Sequence, residues 1–348
     1  MSLGALVPLR WIGTGPRRAW LRFSLGCAVA AALLLGLAEV YLRRFPPQEH
    51  LAYLGEESSL TGIYAPDDDF GVTYRSWRAF CEDNAARMGP FLPGKGPDGP
   101  GIWAFFGNSF VQAPGMLADL ARELVRDRRV FNLGRNEHLF VRLAQIKMLL
   151  QNRIVPERVF VVLLPVDMLD LGEQPLETLY VTSKGALTYR PRLPGGPAAW
   201  FIQHSRLARA AWFRSGYHRG NPQFRRQRLT RGLEEPLLGD VRRLFFNLAR
   251  VTQARRVPVT VLLIPAYEQV MLGASLGFQD ALEAFLRPQG YDVLDLRDAF
   301  AGLPDRAALF LPDKHFTALG NRIVLARLLA HVRGPEAQAQ LPRWADTP

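Results

Sequence analysis

Hydrophobic positions along the chain follow two rhythms. Near the N-terminus, residues 25–40 read LGCAVAAALLLGLAEV, apolar throughout except at Glu39. Taken as residues 20–42, this run has the length of roughly 20 residues that a helix needs to cross hydrocarbon. From residue 101 onward, short apolar runs alternate with helical patterns. IWAFF at 102–106 stops at Gly107, and a helical pattern follows at 115–127. A short strand at 130–133 and a helix at 138–152 come next. RVFVVLLP at 158–165 is a continuous apolar run, as expected of a parallel strand buried on both faces. A long helix at 237–255 then precedes a second such run, VPVTVLLIP at 257–265. A helix at 278–288, a strand at 291–296 and a helix at 317–333 close the pattern. This alternation predicts βαβ units, hence an α/β fold: a doubly wound three-layer sandwich with a parallel sheet, preceded by one N-terminal transmembrane helix.

Two segments break the alternation. Residues 43–100 are rich in Pro, Gly and Asp (APDDDFG, GPFLPGKGPDGP) and read as a linker and an irregular lead-in with little regular structure. Residues 170–235 fall between the third and fourth strands and read as an insertion. The expected organisation is a basic tail (1–19), an anchor (20–42), the linker and lead-in (43–100), an α/β domain (101–335) and a short tail (336–348). No internal repeat is visible.

Composition excludes bulk disorder, because 48% of the 348 residues are apolar and 22% charged. The net charge of +11 is mostly arginine, and its placement matters more than its size. Arg10, Arg17, Arg18 and Arg22 precede or open the apolar run, against Arg43 and Arg44 after it. That bias sets the N-terminus in the cytoplasm and the remainder outside. Other readings of the run fit less well. A cleaved signal peptide needs a small-residue site where YLRRF stands, PRRAWLR resembles a twin-arginine signal only loosely, and in SLGC the apolar residues continue past the cysteine. A buried core helix is opposed by the basic flanks.

From residue 185 to 233 there is no Asp or Glu but there are ten arginines, with Trp200, Phe201, Trp212, Phe213, Tyr217 and Phe224 among them. Most charge runs are solvated faces. The complete lack of acids here points equally to an anionic surface, either membrane headgroups or an acidic polysaccharide. Nucleic acid shares the compositional signal but not an extracytoplasmic location. Cys27 and Cys81 lie far apart in different kinds of sequence, so a disulfide between them is not expected, and there is no CxxC metal spacing.

The chemistry rests on the turn after the first strand. Gly107-Asn108-Ser109 between a buried strand and a helix presents a hydroxyl above the carboxyl edge of a sheet. Alone, Ser109 reads more readily as a turn or cap residue. A nucleophilic serine needs an imidazole within reach, and the imidazole needs an acceptor to fix its tautomer. Six histidines are available. His50 lies in the linker, and His204 and His218 in the basic insertion. His138 reads as a solvated residue at a helix start, and His331 as a cation near a helix end. His315 differs: it lies in LPDKHFTALGN, after the last strand, two residues from Asp313 and just before a helix that Thr317 can cap.

GNS at 107–109, NLG at 132–134 and DKHFTALGN at 313–321 resemble, in order and spacing, the blocks of the SGNH (GDSL-type) hydrolase superfamily. The last block is similar to the Asp-x-His-aromatic version of membrane-anchored bacterial members, including polysaccharide O-acetyltransferases. The resemblance covers about residues 100–335 and implies Ser109 as nucleophile, His315 as base and Asp313 as orienter, without metal or cofactor. There are three departures. Asn108 stands where the family has Asp, and Glu137 aligns with the glycine whose amide serves the oxyanion hole, with Gly134 three residues earlier. Val166 replaces the asparagine donor of the third block. Loss of one such donor costs on the order of a hundredfold to a thousandfold in rate. Gly134 and Asn136, with Asn132, are the candidate substitutes.

Two functions follow from the resemblance and its departures. One is a bacterial inner-membrane protein with a periplasmic serine esterase or O-acyltransferase domain, acting on acylated or acidic envelope glycan, with a membrane acyl-donor protein as a conceivable partner. The other is a weakened glycan-binding or scaffold domain. A nucleotide-binding domain lacks its motif, since neither GxGxxG nor a P-loop lysine follows any strand.

Overall fold

The structure is a computed structural model that describes residues 16–45, 63–88, 101–135, 138–168, 179–181, 187–189, 197, 200, 204–208, 211, 235–273, 277–301, 303 and 305–334. The chain divides into two units, residues 1–51 with 191–218, and residues 52–190 with 219–348.

In the first unit, helix α1 (Pro16–Arg44) contains a 22-residue stretch, Phe23–Arg44, with mean hydropathy 2.1 and none of its apolar window buried. It is long and apolar enough to cross a membrane. Its one acid is fully occupied. The Glu39 carboxylate accepts from Ser205 Oγ at 3.0 Å, Arg206 N at 2.9 Å and Leu207 N at 2.8 Å, as well as from Arg43 Nε one turn later at 2.9 Å. Glu39 thereby caps a helical turn of the acid-free basic segment, which offers no carboxylate of its own.

The second unit begins with a hairpin, β1 (Tyr64–Asp67) and β2 (Gly71–Tyr74), followed by α2 (Trp77–Met88). The alternating part runs β3 (Ile102–Phe106), α3 (Ser109–Gln112), α4 (Leu117–Leu124), β4 (Arg129–Asn132), α5 (Leu139–Gln151) and β5 (Arg158–Leu163). Two short antiparallel strands follow, β6 (Leu179–Val181) and β7 (Leu187–Tyr189). Then come α6 (Glu235–Gln253), β8 (Val259–Leu263), α7 (Tyr267–Leu272), α8 (Phe278–Leu286), β9 (Asp292–Asp295), α9 (Arg297–Ala301) and α10 (Ala318–Arg333).

Five strands form one parallel sheet in the order β4-β3-β5-β8-β9. Because β3 lies between β4 and β5, the winding reverses there. A crevice opens at such a switch point, beyond the carboxyl ends of the strands. Side chains alternate across the sheet. Ala104, Phe106, Val159, Val161 and Val261 meet Phe140, Ile146, Leu244 and Phe245 of α5 and α6 on one face. Trp103, Phe105, Phe160, Val162 and Leu262 meet residues of α4, α9 and α10 on the other. This is the expected doubly wound α/β sandwich, with element limits shifted by a few residues.

The lead-in departs from expectation. Within the stretch read as having little regular structure, residues 64–88 form the hairpin and α2, and Tyr64, Phe70, Val72, Tyr74 and Phe80 are buried in the core. The Asp-rich motif within the expected linker and lead-in is the hairpin turn. Asp67 Oδ1 accepts from Asp69 N at 3.0 Å and from Phe70 N at 2.9 Å, and Gly71 takes the positive φ of 76° that closes it. Residues 43–62 and 89–100 lie outside the described residues, apart from 43–45 at the end of α1. So does most of the 170–235 insertion.

Candidate active site

Three segments converge at the switch point. The first is the turn from β3 into α3. Phe105 and Phe106 are fully buried, and the strand ends at Gly107, where a Cβ would come within 2.5 Å of Val111 Cγ2 and 3.0 Å of Val162 Cβ. Only glycine lets the chain turn so tightly against β5. Asn108 then caps α3: its Oδ1 accepts from Phe110 N at 3.1 Å, and its carbonyl from Val111 N at 2.9 Å and Gln112 N at 3.0 Å. Ser109 is the first residue of the helix and is half-buried.

The second segment is the loop that ends in α10. Phe310 and Phe316 bridge its base, and Leu311 N bonds to His315 O at 2.7 Å across the turn. Lys314 adopts φ 70°, the left-handed region that side chains seldom occupy. This twist brings Asp313 back to His315: Asp313 Oδ1 accepts from His315 N at 3.1 Å, and Oδ2 lies 3.1 Å from the ring Nδ1. The opposite ring nitrogen, His315 Nε2, is 2.7 Å from Ser109 Oγ, across 206 residues of sequence. The carboxylate on Nδ1 assigns the proton to that nitrogen and leaves Nε2 to accept from the hydroxyl. The His315 ring packs on Phe110 at 4.9 Å, and Phe316 packs on Phe110 at 5.1 Å. Thr317 caps α10 as expected, its Oγ1 accepting from Gly320 N at 3.3 Å.

Asp313 is exposed, at 67% of its side chain, while His315 is 27% exposed. The His315 N–H first, and its ring second, hold the Asp313 carboxyl below the usual carboxylate range. In water such a pair adds little stability, so its contribution is orientation of the ring.

The third segment follows β5. Asp167 is 2% exposed, its Oδ2 accepts from Leu164 N at 2.8 Å, and its Oδ1 accepts from Asn108 Nδ2 at 3.1 Å and from Arg142 at 2.5 Å. Val166, beside it, is 38% exposed.

The two oxyanion candidates fare differently. The Gly134 N–H donates to Asn132 Oδ1 at 3.2 Å, and a Cβ on Gly134 would meet Gln112 N at 2.6 Å. Close passage of the β4 loop past α3 is therefore a sufficient reason for this glycine. Asn132 is engaged at both ends, since its Nδ2 donates to Asp119 at 3.3 Å. Asn136 and Glu137 lie outside the described residues.

One other histidine departs from expectation. His138 opens α5 without a side-chain cap bond and packs flat on Phe140 at 5.3 Å; burial first, and Arg142 second, push its imidazole down to about 4. His331 is paired with Asp292 at 2.6 Å. Sequence reasoning also missed Arg142, whose only signal was an arginine in the largely apolar FVRLAQIKMLL helix.

No family model and no curated protein matches the chain. Among solved structures, LAE5, an alpha/beta hydrolase enzyme from the metagenome of Lake Arreo, Spain, is 13% identical with a TM-score of 0.39, over 68% of this chain and 97% of that one. A variant of Axe2, an acetyl xylan esterase from Geobacillus stearothermophilus, is 10% identical with a TM-score of 0.38, over 68% of this chain and 95% of that one.

Proposed function

We propose that the chain is a membrane-anchored serine esterase or O-acyltransferase of SGNH type, with Ser109, His315 and Asp313 as its triad. One observation carries this reading: Ser109 Oγ stands 2.7 Å from His315 Nε2, whose other nitrogen faces Asp313 at 3.1 Å, at the carboxyl edge of a parallel sheet. In the first half-reaction Ser109 Oγ attacks the ester carbonyl carbon as its proton passes to His315 Nε2. The carbonyl electrons move to oxygen and return as the alcohol leaves, taking the proton from His315. Water or a sugar hydroxyl then attacks the acyl-enzyme with His315 again as base, and Ser109 regains its proton. The Ser109 N–H, at the first position of α3, is among the amides that a helix start leaves without an intrahelical acceptor, and it suits the developing oxyanion. Asn136 is the further proposed donor, and the Gly134 amide would join the hole only on release from Asn132 Oδ1.

In this reading α1 is the anchor, the basic bias before it favours a domain outside a bacterial inner membrane, and acylated or acidic glycan and a membrane acyl supplier are its proposed partners. A glycan-binding or scaffold reading is favoured by Val166 in the donor position and by the Gly134 amide bonded to Asn132. Purified protein turning over p-nitrophenyl acetate, with turnover lost in Ser109→Ala, supports the enzyme. Equal background rates in both support the binding domain.

A further inference from the structure

The residue before Ser109 is an amide, and a buried ion pair stands behind it. Asn108 is 5% exposed, Asp167 2% and Arg142 2%. Asn108 has little freedom of orientation. Its Oδ1 accepts from Phe110 N in the first turn of α3 at 3.1 Å, and its Nδ2 donates to Asp167 Oδ1 at 3.1 Å. Asp167 is fixed in turn from two sides, by Leu164 N at the end of β5 and by Arg142 of α5. Three elements around the switch point are thus joined through one carboxylate, and the joint ends one residue from the proposed nucleophile. A carboxylate at 108 would face Asp167 with like charge in a site closed to water. The amide at 108 therefore complements the acid at 167, whose Oδ1 also accepts from the Arg142 guanidinium.

We propose that Asp167 and Arg142 are positioning residues for the nucleophile. They hold the Asn108 amide, and through it the turn at 107–110, so that Ser109 Oγ meets His315 Nε2. This inference rests on the Ser109 reading above. Both side chains are buried, at 2% exposed each. Their effect comes through a displacement of Ser109, and a displacement of about 1 Å is sufficient for a hundredfold loss of rate.

The test is the rate at which a fluorophosphonate labels Ser109 in the full chain, followed by intact mass in wild type, Asp167→Asn, Asn108→Asp and the double exchange. Asp167→Asn is expected to label about 10- to 100-fold more slowly than wild type. In Asn108→Asp two buried carboxylates share Arg142, with His138 one turn away on α5. One carboxylate holds a proton at low pH and mimics the amide, so labelling relative to wild type falls as pH rises. The double exchange restores one amide and one acid, and should recover about tenfold or more over either single variant and remove that pH dependence. A merely structural pair would lower melting temperature without this reversal. Folded Asp167→Asn labelling at the wild-type rate, or a flat pH ratio in Asn108→Asp, overturns the positioning role and leaves the Ser109 reading standing. Wild type that takes no label overturns both. Should Asp167→Asn fail to fold, the double exchange and the pH ratio decide.

Discussion

At the scale of single residues, the site depends on conformations that composition does not reveal. That Ser109, His315 and Asp313 meet is legible because the residue types and their order along alternating elements leave few other combinations. The means of alignment are not. Lys314 sits at φ 70°, and its Nζ reaches Glu268 at 2.5 Å and lies over the Tyr267 ring at 5.3 Å. The left-handed conformation costs about 1 kcal/mol or more, and contacts 46 residues away help to hold it. No local pattern encodes such a pairing. The surroundings of His138 are hidden for a related reason, because a position at a helix start says nothing of the side chain's burial. Its imidazole is held down to about 4, whereas in an unfolded chain it protonates near pH 6.5. As pH falls through that window the unfolded state takes up a proton that the folded state refuses. Stability fully present above about pH 6.5 is therefore lost toward pH 4, by about 3 kcal/mol. Melting temperatures of wild type should fall relative to His138→Phe between about pH 7 and pH 4.5; parallel curves would contradict the burial of a neutral His138.

At the scale of elements, the parallel strands were readable because burial on both faces makes them continuously apolar, as in RVFVVL and VTVLL. The β1–β2 hairpin was not, because its turn carries three aspartates and its strands are four residues each. Its alternation of Phe70, Val72 and Tyr74 is a sheet signal too short to outweigh the neighbouring Pro and Gly. The short α3 is set by glycines on either side. A Cβ at Gly134 would stand 2.6 Å from the backbone N of Gln112, which has no flexible end to yield. Gly134→Ala should therefore destabilise the fold by about 1–3 kcal/mol through overpacking against α3. Urea denaturation would show this as a lower midpoint at unchanged slope, and an unchanged midpoint would mean that the loop yields freely.

At the scale of the whole molecule, the sheet places Ser109 after β3 and Asp167 after β5, the two strands flanking the reversal of winding, so topology alone brings them together. The sequence order of strands implied such a crevice, but not that Asn108 and Asp167 would be bonded across it. In the other unit, Glu39 reads in the sequence as an isolated acid in an apolar run. It is the acceptor for three donors of the segment 205–207. If α1 is an anchor, full-length protein should sediment with membranes and stay there through alkaline carbonate, while protein beginning at residue 52 should not. Release of the full-length chain by carbonate would contradict a spanning helix.

The central claim is that Ser109 is a nucleophile activated by His315. Its most direct test is mass spectrometry of the full chain after fluorophosphonate treatment, with peptide mapping. The account predicts a single adduct on Ser109 that is absent from Ser109→Ala and strongly reduced in His315→Ala. An unmodified chain, or an adduct elsewhere that persists in Ser109→Ala, would contradict it.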